Sequence, residues 1–289
     1  MIRANPADAP QIAAFLERHC DTSMFALSNL AGHGLADDTD PDAHPHAMRC
    51  WLGRRDGQIT DVLSITQGGM VMPQCPSFQG HADWTAAVRV AVGTPLIGVI
   101  GPALQARAFA CAAGLVAAPA TLNRDEPFMA LALIDLALPD GPDRIVPLAD
   151  APRATVFEWM TAYQVEALGS GLPDARARAE SSLATYLTHR SHVVLMRGDT
   201  PLAMTGFNAR LPAIVQIGGV YVPPALRNQG HGRRAVARHL AQARAEGVAR
   251  AVLFSASAAA ARAYRAIGFR QTGAWTLCLF DGPQRVRHG

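Results

Sequence analysis

The chain has 289 residues, of which 49% are hydrophobic and 17% charged, and its formal net charge is +3. This length and composition indicate a buried globular core divided into two domains, and they exclude a disordered chain. The sequence contains no lysine, so every strong base is arginine. Schiff-base catalysis and a lysine general base are therefore excluded.

Targeting signals and cysteine usage favour a reducing compartment. The first residues lack the apolar core of a signal peptide, and the Ala-rich run over residues 108–120 is too short and broken to span a bilayer. The cysteines are odd in number, scattered and without a C-x-x-C pair; they are Cys20, Cys50, Cys75, Cys111 and Cys278. We therefore expect a cytoplasmic protein with buried thiols, no disulfides, no metal site and no membrane association.

The chain order of predicted elements indicates a mixed α/β (α+β) sheet. The pattern predicts helices at residues 7–20, 23–31, 84–92, 102–114, 155–168, 174–189, 232–246 and 258–267. It predicts strands at residues 47–54, 58–67, 95–101, 127–138, 144–148, 192–198, 201–210, 213–222, 250–255 and 275–280. The segment PDGPDR at residues 139–144 is the best linker, which divides the chain into domains 1–140 and 141–289. Both halves follow the rough order helices, hairpin, helix, strand, helix, strand, which suggests a duplicated unit.

A glycine-rich turn with arginines, RNQGHGRRA at residues 227–235, follows the predicted strand at 213–222. Six arginines and one acid fall between residues 227 and 250, which favours a phosphorylated small molecule over nucleic acid, since no interleaved aromatic residues accompany them. GHGRRA formally fits a dinucleotide fingerprint. However, seven residues separate the strand from the first glycine, and the next strand ends without an acid, so that interpretation is disfavoured.

The wider pattern resembles another family. Val222-x-Pro224-x-x-Arg227-x-x-Gly230-x-Gly232 is similar to the pyrophosphate loop of the GCN5-related N-acetyltransferases (GNAT), and Tyr264-x-x-x-Gly268-Phe269 is similar to a second family signature at the correct spacing. The strand IGGVYVPP further resembles the branch related to glycine N-acyltransferases. Backbone N–H groups at a helix N-terminus, left uncovered by glycine, suit a diphosphate.

The resemblance implies two tandem GNAT-like domains, each a mixed, mostly antiparallel sheet flanked by helices. The first half has nothing like the glycine-arginine loop, so we expect it to be a degenerate copy that shapes the acceptor cleft or a subunit interface. The resemblance covers about residues 143–280 and implies acetyl-CoA, or another acyl-CoA, as co-substrate. The implied cofactor-binding residues are Val220, Tyr221, Val222, Arg227, Asn228, Gln229, Gly230, His231, Gly232, Arg233 and Ser257.

The resemblance also implies chemistry, with two departures. Tyr264 would protonate the leaving CoA thiolate. Gln216 stands where the family often has a glutamate general base, and an amide cannot take a proton at neutral pH. Ser257 stands where an asparagine usually bonds the pantetheine. Water and another group would then relay the proton, or the amine would arrive neutral.

Several other polar and aromatic residues have both a functional and a structural interpretation. Glu166 lies on a helix that borders the acceptor site in this family, and it is a candidate for binding the amine or acting as base; the alternative is a solvated helix acid. Trp159 and Tyr163 fit core packing, His231 contributes its backbone, and Cys278 fits a buried strand. The tract at residues 37–50 has acids and histidines but no ligand spacing, and is interpreted as a polar loop.

The sequence therefore predicts an N-acyltransferase, with acetyl-CoA favoured as donor, in which a small-molecule or peptide amine attacks the thioester directly in a ternary complex. The alternative is a CoA-binding sensor or scaffold without turnover, which Gln216 and Ser257 would suit. The acceptor's identity stays open, and either a monomer or a homodimer is compatible.

Overall fold

The computed structural model describes residues 1–36 and 42–286. Its α-helices are α1 (Ala9–Arg18), α2 (Cys20–His33), α3 (His81–Val88), α4 (Ala103–Ala112), α5 (Arg153–Leu168), α6 (Leu172–His189), α7 (His231–Ala245) and α8 (Ala258–Arg265). Its strands are β1 (Ile2–Arg3), β2 (Met48–Arg55), β3 (Gln58–Thr66), β4 (Met70–Gln74), β5 (Leu96–Pro102), β6 (Ala120–Ala132), β7 (Arg144–Pro147), β8 (His192–Arg197), β9 (Thr200–Arg210), β10 (Ile214–Tyr221), β11 (Arg250–Phe254) and β12 (Arg270–Gln284). The predicted mixed α/β architecture is confirmed.

Two compact units divide the chain: unit 1 comprises residues 1–126 and 273–289, and unit 2 comprises residues 127–272. This division differs from the expected one after residue 140. Residues 127–132 of β6 belong to unit 2, and residues 273–284 of β12 belong to unit 1. The division into two domains, residues 1–140 and 141–289, stays a prediction.

The sheet of unit 1 has the strand order β1-β2-β3-β4-β5-β12. Its neighbouring strands are antiparallel except for β4 and β5, which run parallel. The core lies where β3, β4, β5 and β12 meet α3 and α4, and it contains Leu63, Val71, Trp84, Phe109 and Cys278. The last strand of the chain thus completes the sheet of the first unit.

The sheet of unit 2 has the strand order β6-β11-β10-β9-β8-β7, with β10 and β11 as the parallel pair. Residues 128–132 of β6 pair with β11, so a strand from the first half of the sequence completes this sheet. Apolar residues on one face pack against α7 and α8, as Phe207 and Val215 do against Val236. The other face packs against α5 and α6 through Trp159 and Leu183.

The two units repeat one strand pattern: an edge strand, a meander of three strands, a parallel neighbour, and a final antiparallel strand from the other half of the sequence. This repetition accounts for the duplication suggested by the order of predicted elements. Several strand predictions differ from the structure: β1 was not predicted, and β12 runs over Arg270–Gln284 rather than residues 275–280. Strand β4 was not predicted, and β6 begins at Ala120 rather than at residue 127 and ends at Ala132.

The described cysteines are all free, as expected, but they are not all buried: Cys111 is exposed, and Cys20 is partly exposed. Cys278 is buried in β12, where burial raises the pKa of its thiol. Of the helices described, none combines the length and apolar character needed to cross a bilayer.

Candidate functional site: the β10–α7 loop

The parallel strands of unit 2 part in the middle of β10. Pairing with β11 joins residues 214–216 to residues 250–252, while β10 continues to Tyr221 alongside β9. The register against β9 shifts between Gln216 and Ile217 and again after Gly218, and Gly219 has a φ of +61°. These irregularities turn β10 away from β11, because a bulge bends the strand that carries it.

Three predicted cofactor residues lie at this end of β10. The side chain of Val220 packs against the core beneath α7 and α8, and the ring of Tyr221 packs on the opposite face of the sheet. Val222 packs against a small cluster that includes Leu195 and Ala235. These side chains serve packing, which leaves the backbone as the part of this stretch available to a ligand.

The loop between β10 and α7 ends in a left-handed turn. Asn228 has a φ of +62° and Gly230 a φ of +75°, and α7 begins at His231. Left-handed backbone favours glycine, which also leaves the first N–H groups of the helix uncovered. A Cβ on Gly232 would lie 3.2 Å from Cγ2 of Val222, so this glycine lets the helix start approach the end of β10 closely.

The polar side chains of the loop bind one another. Arg234 donates to the carbonyl oxygen of Gln229 at 3.1 Å and to Nδ1 of His231 at 2.7 Å. Since arginine only donates, Nδ1 must accept, and the ring proton lies on Nε2, which is 3.3 Å from Oε1 of Gln229. Burial, and then the charge of Arg234, lower the pKa of His231, so this histidine is a neutral support of the loop.

The carboxylate of Asp143 holds Arg234 in place. Its side chain has no exposed surface, and it accepts hydrogen bonds from Nε of Arg197 at 2.8 Å and from Nε of Arg234 at 2.7 Å. The hydrogen bond from Arg197, followed by that from Arg234, lowers the pKa of Asp143. Sequence reasoning missed this residue, because it lies in the segment interpreted as a linker.

A separate cluster joins the loop to α5. Nη2 of Arg227 lies 2.6 Å from Oε2 of Glu166, and its Nε donates to the carbonyl oxygen of Val222 at 2.9 Å. The hydroxyl of Tyr221 donates to Oε1 of Glu166 at 3.1 Å. Burial, with a further contribution from Glu166, raises the pKa of Tyr221. The structure thus brings Glu166, a candidate for the acceptor side, together with Tyr221 and Arg227, which were predicted to bind the cofactor.

Gln216 occupies a buried position next to the point where the strands part. Its Nε2 donates to the carbonyl oxygen of Ile217 at 2.7 Å, and its Oε1 is buried without a hydrogen-bond partner among the described residues. A buried acceptor without a partner is costly, so this oxygen is a natural hydrogen-bonding point for a ligand or water.

The two predicted residues beyond β11 lie at the start and near the end of α8. Ser257 caps the helix, since its Oγ accepts a hydrogen bond from the backbone N–H of Ala260 at 3.1 Å. Tyr264 is 8% exposed, and its ring lies 6.0 Å from that of Phe269 in an edge-on arrangement. Tyr264 belongs to the apolar cluster against which Val220 packs, so α8 supports the end of β10.

Arg233 completes the candidate anion site. It is exposed, its guanidinium lies beside Gly230, and no ion-pair partner for it occurs within residues 1–36 and 42–286. A positively charged side chain beside the N-terminus of a 15-residue helix adds to the favourable field for an anion.

Unit 1 has a counterpart of the loop that sequence reasoning missed. Gln79-Gly80-His81 repeats Gln229-Gly230-His231, and both α3 and α7 begin at the histidine. In unit 1, however, Oδ2 of Asp83 accepts hydrogen bonds from the N–H groups of Gln79 and Gly80 at 2.8 and 3.3 Å. The carboxylate of Asp83 therefore occupies the N–H groups that would face an anion.

Other sequence candidates have structural roles or lie partly outside the described residues. Trp159 is buried in the core, and Tyr163 packs against the same cluster, as predicted. The polar tract at residues 37–50 falls outside the described residues as far as residue 41. In the part of the chain that the structure describes, no three His, Cys, Asp or Glu side chains form a group that could hold a metal ion.

The comparisons with known proteins place this fold in a family. The sequence profile of the acetyltransferase (GNAT) family matches residues 154–269, so the chain carries a domain of the GNAT family, as the loop and tyrosine motifs predict. None of the curated proteins matches the sequence. Resemblance to the glycine N-acyltransferase branch stays a prediction.

Solved structures extend the likeness to the whole chain. A tandem GNAT protein from the clavulanic acid biosynthesis pathway is 13% identical with a TM-score of 0.56, over 100% of this chain and 98% of that one. A GCN5-related N-acetyltransferase from Sphaerobacter thermophilus is 14% identical with a TM-score of 0.59, over 100% and 96%. One from Kribbella flavida is 16% identical with a TM-score of 0.52, over 77% and 87%. The predicted tandem GNAT fold is thereby confirmed.

Proposed function

We propose that the protein is an acyl-CoA-dependent N-acyltransferase, with acetyl-CoA as the donor, that acylates a primary amine. The observation that carries the proposal is the start of α7. There, left-handed Gly230 and small Gly232 uncover backbone N–H groups beside the exposed Arg233, next to the point where β10 leaves β11. Such a helix start suits a diphosphate, and the parted strands suit an extended amide-containing arm.

The residues of the site have separate roles in binding and in catalysis. The loop backbone from Asn228 to Gly232 holds the diphosphate, and the backbone of residues 220–222 aligns the pantetheine arm. The amine nitrogen forms its bond to the thioester carbon as the carbon–sulfur bond breaks. Tyr264 transfers its phenolic proton to the departing thiolate, and Ser257 contributes a hydroxyl near the arm while capping α8.

Removal of the proton from the amine does not rest on Gln216. Its amide donates to Ile217 and has no basic nitrogen, so it can only orient a water molecule or the amine through Oε1. Glu166 is the carboxylate available for binding the amine as an ammonium ion, held by the hydroxyl of Tyr221. The ammonium ion loses one proton to water or to this carboxylate before it attacks. The second proton, which the nitrogen releases as the amide forms, passes through water and restores the phenol of Tyr264.

Unit 1 takes no part in diphosphate binding in this proposal, because Asp83 already binds the N–H groups of Gln79 and Gly80 just before α3. It is a degenerate copy, and each chain uses one molecule of acyl-CoA. We expect the protein to act in the cytoplasm, as a monomer or a homodimer, without nucleic acid or membrane partners.

The test is thiol release from acetyl-CoA in the presence of a panel of amines, including amino acids, polyamines and peptides. Amine-dependent release of CoA, with the acetylated amine identified by mass spectrometry, supports the proposal. The absence of a glutamate at position 216 favours one alternative, a CoA-binding sensor. Tight binding of acetyl-CoA in calorimetry without thiol release for any amine would support that alternative.

A further inference from the structure

Arg227 connects two parts of the candidate site that are remote in sequence. It lies in the loop three residues before Gly230, and its Nη2 reaches Oε2 of Glu166 on α5, 61 residues earlier in the chain. Its Nε is held by the carbonyl oxygen of Val222. One guanidinium therefore joins the diphosphate loop to the carboxylate of the acceptor side.

The ion pair between Arg227 and Glu166 is weak enough for Arg227 to exchange the carboxylate for another anion. The side chains of Arg227 and Glu166 are each 43% exposed, and solvent-exposed pairs contribute only about 0–1 kcal/mol. A diphosphate carries more negative charge than a carboxylate and presents several oxygens that match the planar guanidinium. A ligand at the start of α7 would therefore compete with Glu166 for Arg227.

Glu166 has a second support that does not depend on Arg227. The hydroxyl of Tyr221 donates to its other oxygen, Oε1, and the ring of Tyr221 is anchored in the core against α5 and α6. If Arg227 turns toward a diphosphate, the carboxylate stays in place but loses its positive partner. It then has a negative charge to offer to an ammonium group.

We propose that Arg227 couples the two substrates: acyl-CoA draws the guanidinium away from Glu166, and the freed carboxylate binds the cationic group of the amine acceptor. The inference rests on the proposed function. Coupling of this kind is reciprocal, so occupation of the acceptor position by a cation also strengthens the binding of acyl-CoA. Arg227 thus binds the diphosphate directly and acts on the acceptor through Glu166.

The first test measures binding by calorimetry with two probes, CoA and S-acetylpantetheine, which lacks the diphosphate. Glu166→Gln removes the competitor for Arg227, so we expect it to strengthen CoA binding about fivefold, corresponding to about 1 kcal/mol, and to leave S-acetylpantetheine binding unchanged. Unchanged or weaker CoA binding would overturn the proposal, as would an equal gain with both probes.

A matched control removes a carboxylate from the same helix. Glu158 also lies on α5, is 65% exposed and lies 3.9 Å from Arg176. Glu158→Gln changes the net charge equally, so we expect no change in CoA affinity. A gain equal to that of Glu166→Gln would trace the effect to overall charge and refute the coupling.

A second variant tests the role of Arg227 directly. Arg227→Gln should weaken CoA binding, and adding Glu166→Gln to it should then give no further gain. Persistence of the fivefold gain in the double variant would show that Glu166 acts without Arg227. Failure of the wild-type protein to bind CoA at all would instead refute the proposed function, so the two failures are distinguishable.

Discussion

Nε of Arg234 donates a hydrogen bond to Oδ2 of Asp143 at 2.7 Å, although 91 residues separate them in the sequence. Through this bond a fully buried carboxylate fixes the arginine that donates a hydrogen bond to the carbonyl oxygen of Gln229.

Asp143→Asn should lower the free energy of unfolding by about 2 kcal/mol and weaken CoA binding, because Arg234 and the loop lose this anchor. Urea denaturation and calorimetry measure the two effects. Asp199→Asn, in the exposed turn after β8, is the control that should change neither; equal effects of both substitutions would contradict the prediction.

Acid should destabilise unit 2 through two buried histidines. Burial lowers the pKa of His192 and of His239 to about 3 in the folded protein, so both stay neutral there. An unfolded histidine takes up its proton near pH 6.5, so stability is lost as the pH falls below that value. The loss should approach about 1.4 kcal/mol per pH unit for each histidine. Urea denaturation between pH 7 and 5 measures it.

His239→Leu provides the internal comparison for this pH dependence. It removes one of the two titrating groups together with its unpartnered Nδ1, so the decline contributed by the histidine pair should be halved. A variant with the same pH dependence as the wild-type protein would show that His239 titrates normally in the folded state.

Gly230→Val should abolish CoA binding while the protein stays folded. A β-branched residue is strained at a φ of +75°, and its side chain would cover the N–H groups at the start of α7. Gly247→Val places the same residue at a φ of +94° just beyond the other end of α7, in open space. It imposes comparable strain and should leave CoA binding intact. Calorimetry distinguishes the variants, and equal loss in both would assign the effect to strain.

Tyr264→Phe should lower kcat about 100-fold while the Kd of acetyl-CoA stays within about twofold, because the ring and its packing against Phe269 are retained. Steady-state thiol release and calorimetry give the two quantities. Tyr186→Phe, which removes a phenolic hydroxyl from α6, is the control. A normal kcat for Tyr264→Phe would remove this tyrosine from the mechanism.

One molecule of CoA should bind to each chain, because Asp83 binds the N–H groups of Gln79 and Gly80 in unit 1. Asp83→Ala should lower the free energy of unfolding by about 1 kcal/mol through loss of the cap at α3 and leave the binding stoichiometry at one. Calorimetric titration gives the stoichiometry. Two molecules per wild-type chain would show that unit 1 also binds CoA.

The loop was predictable because its signals are local. Gly230, Gly232 and Arg227 lie within six residues, and their spacing alone indicates a helix start that accepts phosphate. The partners of the loop were not predictable in this way. Asp143 sits among prolines and a glycine, and only the tertiary fold brings its carboxylate to Arg197 and Arg234.

The strand errors have similar causes. Strand β4 is short and contains Pro73, which ordinarily argues against an inner strand, yet Pro73 is buried between β3 and β5 in the sheet. The first half of β6 is polar, with exposed Asn123 and partly exposed Arg124, so the apolar run from residue 127 hid its true start. Which unit β6 and β12 would complete depends on pairing between distant segments, which the local pattern does not encode.

The exchange of final strands has a consequence for the order of folding on the ribosome. The sheet of unit 1 needs β12, whose residues 275–284 pair with β5. Residues 275–284 are synthesised after all of unit 2, which precedes residue 273. The second unit can therefore fold before β12 is available to the first unit, in which the edge of β5 that pairs with β12 is still exposed. A nascent chain arrested after unit 2 has left the ribosome, but before β12 has, would expose this edge to chaperones, and emergence of β12 would cover it.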